Sequence, residues 1–147
     1  MSNLPDPDRQ PQFYESVPAK RLIAWLVDTV IILALCLIVV LLTAFVGLFI
    51  WPLLVAVIGF AYRTVTLANG SATWGMRFAG IELRDANGAR FDLALALAHT
   101  AGYTISFVIP ILQVISVVMM LTTARGQGLT DTFLGTVALN RRAVIRA

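Results

Sequence analysis

Four residues have the types and positions that could do chemistry: Arg21, Asp28, His99 and Asp131. Arg21 and Asp28 stand seven apart, on nearly one face of a helix, two turns and roughly 10 Å apart along its axis. Asp28 lies near the start of an apolar run that continues without further charge to Tyr62. A charge at the centre of a membrane helix costs about 2.5–3.5 kcal/mol on insertion scales, and each Leu, Ile or Val offsets about 0.3–0.6. The helix carrying Asp28 is rich enough in these residues to insert. Its carboxylate then lies about a third of the way into a hydrocarbon core of about 30 Å. It must face a protein interior or a wet cavity, not lipid tails. The chemistry is that of a buried carboxylate awaiting a cation, a proton or a basic partner. Arg21 falls at the interface, where a long side chain bends back toward the headgroups. Its default reading is an orienting and anchoring charge.

His99 lies two turns after Asp92 on a similar face of a predicted helix. It reads as a proton acceptor, as a partner to Asp28, or as a polar residue satisfied at the membrane interface. Asp131 reads as a carboxylate that receives Arg21 across the cytoplasmic interface, where opposite charges gain more than in open water. It reads equally as the cap of a following turn. Arg21, Asp28 and Asp131 are thus candidates for a charge cluster, with Asp28 and His99 the candidates for proton handling. Arg21, Asp28 and Asp131 do not compose a nucleophile, base and oxyanion set, and one histidine with one cysteine leaves no metal-ligand spacing. No enzyme activity, metal or cofactor is expected. Cys36 reads as a small apolar filler. Gly75 and Gly80 read as backbone-geometry residues, and Trp25, Trp51, Trp74 and Tyr62 as anchors or packing.

Composition says what must position these groups. The chain has 147 residues, 59% hydrophobic and 13% charged, with a mean hydropathy of +0.84. A soluble domain of this size could not hide that much apolar surface, so the bilayer is its solvent. The net charge of +3 comes from basic residues that flank apolar runs. That is membrane topology and not a nucleic-acid stripe.

Residues 1–17 are polar and proline-rich and read as a disordered cytoplasmic tail. The tail lacks the basic n-region of a signal peptide, and the apolar run after it is too long for a signal core. Residues 22–62 make two spans, at about 19–45 and 50–68, broken near Gly47 to Pro52. Their uncharged connection is expected outside, with Lys20, Arg21, Arg63 and Arg77 inside. Ile81–Arg84 alternates as a half-buried strand, Asn87-Gly88 is a turn dipeptide, and Asp92 stands at a helix N-cap. Residues 93–123 read as an interfacial or partly inserted helix at 93–108, a break at Pro110 and a short helix at 111–123. That even count keeps the basic C-terminal tail, 141–147, inside. Thr136–Leu139 is β-prone and, if cytoplasmic, pairs with Ile81–Arg84. The fold class is an all-α integral membrane protein with three to four transmembrane or membrane-embedded helices and a short cytoplasmic strand and turn.

Three stretches carry a resemblance: Arg21-x-x-Ala24-x-x-x-Asp28; Thr73-Trp74-Gly75-Met76-Arg77 followed by Gly80 to Gly88; and Gly128-Leu129-Thr130-Asp131-Thr132-Phe133-Leu134-Gly135-Thr136-Val137. In that order they resemble the RDD family of small membrane proteins, over about residues 13–140, with 18–140 the RDD-like membrane domain. The family is named for one arginine and two aspartates, and Asp131 matches the second aspartate. Two positions depart from its pattern. The residue before the second aspartate, commonly His, is Thr130, and a basic residue early in the third helix, usually Arg, is matched by His99. The resemblance implies a transport-related role; some members are associated with sodium–proton exchange.

Two functions compete. One is an ion- or proton-coupled transport element in the cell membrane, with a small cation or proton as substrate. Three or four helices are few to line a pathway, so it implies a homo-oligomer. The other is a non-transporting scaffold or adaptor whose charges are structural. In both, the partner is the lipid bilayer, nucleic acid is excluded and the N-terminus is cytoplasmic.

Overall fold

A computed structural model describes residues 3–146. Helix α1, Val17–Leu42, has Pro18 in its first turn and 26 residues, about 39 Å at 1.5 Å per residue. Helix α2, Trp51–Ala68, has Pro52 in its first turn. Both are long and apolar enough to cross a membrane. Leu22, Val30, Leu37 and Leu41 on α1 and Leu53 and Val57 on α2 are exposed, a surface suited to acyl chains. Ala24, Asp28, Ile32, Cys36 and Val40 recur every fourth residue on the buried face of α1, and Ile32 and Cys36 pack with Tyr62. In the connection, Ala44 and Phe45 take the positive φ angles, 50° and 68°, and not Gly47. Gly47 is used for its size: a Cβ there would lie 3.1 Å from Val40 Cγ2.

The polar elements form a cap at one end of these helices. Helix α3, Trp74–Ala79, was not legible as a helix. It starts where Thr73 Oγ1 accepts the Met76 amide at 3.1 Å and stops at Gly80, φ +81°. Strand β1, Ile81–Arg84, pairs antiparallel with β2, Val137–Asn140, placing Leu83 opposite Ala138. This is the expected pairing, but β1 is not half-buried. Glu82 is 3% exposed and pairs with Arg84 and, at 3.6 Å, with Arg141.

The cover over this ribbon comes from the segment expected to be a disordered tail. Residues Pro11–Phe13 form a 3-10 turn, and Phe13 and Tyr14 are buried against Val137 and Leu139. Two adjacent aromatics bring enough apolar area to order a short polar segment. Asn140 Nδ2 donates to the carbonyls of Gln12 and Glu15, both at 2.9 Å. The expected basic tail is helix α7 over Arg141–Arg146. Met1, Ser2 and Ala147, which belong to those two expected tails, lie outside the described residues.

Helix α4, Leu93–Val108, is capped by Asp92, whose Oδ1 accepts the Leu95 amide at 2.8 Å. Helix α5, Pro110–Thr122, begins at the proline, after an extended Ile109 (φ −109°, ψ 94°). The two helices turn through 116°. With 16 and 13 residues they measure about 24 and 20 Å, each short of a core of about 30 Å. The bend returns the chain to the cap, where α6, Leu129–Leu134, packs on α4 at Gly102. Lys20 Nζ donates to Asn140 Oδ1 at 2.7 Å, so the start of α1 and the end of β2 share one side. This is the all-α membrane architecture expected, with a two-stranded ribbon in its cap.

Candidate functional site

Asp28 lies on the buried stripe of α1, 1% exposed. Its Oδ1 accepts from the Tyr62 hydroxyl at 2.6 Å and the Gly75 amide at 2.8 Å. Its Oδ2 accepts from Thr73 Oγ1 at 2.6 Å, with Arg63 Nη1 3.9 Å away. Glycine at 75 is a requirement of close approach. A Cβ there would collide with the Ala24 carbonyl oxygen and stand 2.7 Å from Asp28 Oδ1. The Trp74 amide donates to the Tyr62 oxygen at 3.2 Å, which ties α2 to the start of α3. Arg63 lies 4.1 Å over the Tyr103 ring centre and donates from Nη2 to its hydroxyl at 3.2 Å. That hydroxyl also accepts from Trp25 Nε1 at 2.9 Å. A guanidinium away from water gains about 2 kcal/mol on such a ring face.

Asp131, 1% exposed, lies in the first turn of α6. Its Oδ2 accepts from Arg21 Nη2 at 2.5 Å and from the Gly128 amide at 3.1 Å. Its Oδ1 accepts from Thr136 Oγ1 at 2.7 Å and lies 3.0 Å from His99 Nε2. A carboxylate partner places the hydrogen on Nε2. The other face of His99 meets the Phe91 ring. Burial opposes ionisation of Asp131. The Arg21 charge and the hydrogen bonds from His99 and Thr136 outweigh it and hold the carboxyl well below the usual range.

The expected Arg21–Asp131 pair is therefore present, and Asp131 also caps its own helix. Two expectations are corrected. His99 pairs with Asp131, not Asp28. Arg21, Asp28 and Asp131 form two centres, not one cluster. The cause is their spacing on α1, where two turns separate the layer that meets α6 from the layer that meets α3. Sequence reasoning treated Arg63 only as an orienting charge. The available signal was its place beside Tyr62 at the end of an apolar run. Thr73 was marked only as the start of the second resemblance stretch, and Tyr103 gave no signal. Both centres line one cavity of about 610 Å³ between α1 and the α4–α5–α6 side.

The RDD family model matches residues 16–135. The chain belongs to the RDD family. No curated protein and no solved structure matches it. In this RDD protein the matched segment runs from the start of α1 to the end of α6 and holds both carboxylate centres. The arginine and two aspartates of the family resemblance fasten two different cap elements to the membrane helices.

Proposed function

We propose that this RDD protein is a scaffold of the cell membrane, a non-catalytic adaptor in which Arg/Asp centres hold a cytoplasmic platform on two spanning helices. The observation that carries this reading is the set of donors that Asp28 takes from its own fold. It accepts three hydrogen bonds, from Tyr62, Thr73 and Gly75, and has Arg63 alongside, which leaves at most one of about four acceptor positions, beside a fixed positive charge, for a travelling cation. Orientation follows from charge. The 43–50 connection is uncharged, whereas the cap carries Arg77, Arg84, Arg141 and Arg142, and basic ends stay inside. Cation-dependent proton flux in proteoliposomes tests the reading. A scaffold gives no flux above empty vesicles. Flux that is lost in a folded Asp28→Asn protein overturns it.

The cavity favours a second reading, a proton-coupled transport element acting as a homo-oligomer. There the proton-handling pair is His99 with Asp131, since both line the cavity and stand 3.0 Å apart. Flux that survives Asp28→Asn and is lost in His99→Gln supports it.

A further inference from the structure

The cavity's donors and acceptors do not balance. Its two carboxylates are largely filled by hydrogen bonds from their own fold, four at Asp131 and three at Asp28. Its two arginines are not. Each guanidinium carries five N–H groups. Among the described residues, Arg21 directs one hydrogen bond to Asp131 and Arg63 one to Tyr103. Arg21 Nε is buried without a partner, as is the hydroxyl of Thr100, which also lines the cavity. What is left unmet on this wall is donor capacity, which calls for an occupant bearing acceptor oxygens; the formal charges of the two arginines and two aspartates cancel.

The remaining walls are apolar. Leu22 on α1, Phe107 on α4 and Val117 and Leu121 on α5 line the cavity, and they are 60%, 45%, 43% and 69% exposed. Side chains this open leave the cavity a cleft between α1, α4 and α5, which an acyl chain could enter. Its volume falls within the range of about 300–1,000 Å³ that holds small ligands. We propose that it is a binding site for one membrane phospholipid, with an acyl chain between α1 and α5 and a phosphate oxygen on Arg21. This goes beyond the scaffold reading and does not depend on it.

Native mass spectrometry of the full chain tests this, after delipidation and addition of phosphatidylglycerol or of diacylglycerol with the same acyl chains. One retained phosphatidylglycerol per chain is expected, with about tenfold preference over diacylglycerol, as one charge-assisted hydrogen bond gives. Val117→Trp, which fills the cavity from a membrane-exposed position, should abolish retention while the melting temperature stays within a few degrees. Leu121→Trp repeats the test should Val117→Trp fail to fold. Inorganic phosphate should not compete. Equal retention of both lipids, retention unchanged in a folded filled variant, or displacement by inorganic phosphate overturns the proposal.

Discussion

Asp28 reaches across 47 positions of sequence to accept the backbone N–H of Gly75 at 2.8 Å. That bond joins a membrane helix to the first turn of a six-residue helix that could not stand alone, because helices this short are marginal without tertiary support. The cost of an intramembrane carboxylate is thereby offset by donors inside the protein. Asp131 repeats the device one layer nearer the cap, with Arg21 and His99 as its partners.

Gly75→Ala should damage the first centre without touching a charge. The added Cβ meets the Ala24 carbonyl and Asp28 Oδ1, both held by packing. Overpacking of this kind costs about 1–3 kcal/mol. Thermal unfolding in detergent micelles should show the loss. Gly80→Ala is the contrasting variant: a Cβ there has open space but an unfavourable φ of +81°, so its loss should come from backbone strain alone.

Arg21 and Asp131 should behave as a coupled pair. Arg21→Met leaves a buried carboxylate with His99 as its remaining ionisable partner, and breaking one side of such a pair costs about 3–5 kcal/mol. Arg21→Met/Asp131→Asn should cost less than the sum of the single variants, with a coupling of about 0.5–3 kcal/mol by double-mutant cycle. Additive losses would mean that the pair contributes nothing as a pair.

Acid should unfold the cap through Asp131. Its carboxyl titrates lower in the folded chain than in the unfolded one. The stability it contributes is therefore complete above the unfolded value of about 3.9 and lost as pH falls through the lower folded value. Wild-type stability relative to Asp131→Asn should stay constant from pH 8 to 5 and shrink below about pH 4. Chemical unfolding at a series of pH values measures this.

Much of this was legible in the sequence because it rests on local pattern or on membrane cost. The two spans, the cap at Asp92, the turn at Gly88 and the β1–β2 pairing belong to that class. Asp28 stood out because a charge in an apolar run needs a reason. The choice of partner was not legible. Whether His99 meets Asp28 or Asp131 depends on how the α4–α5 bend brings α6 against α4. That 116° turn is made at the extended Ile109 ahead of Pro110. Helix α3 was hidden for a similar reason, since its six residues become helical only when Thr73 caps them and Asp28 accepts the Gly75 amide. The ordered N-terminal segment was hidden by its prolines, whose local signal outweighed Phe13 and Tyr14.

The Asp28 carboxylate fastens α3 to α1. Amide hydrogen exchange of the 73–79 segment, compared between wild type and Asp28→Asn in the same micelles, tests it most directly. Strong protection of the Gly75 amide in wild type, lost in Asp28→Asn while α2 stays protected, is the predicted result. Equal exchange at Gly75 in the two proteins would contradict it.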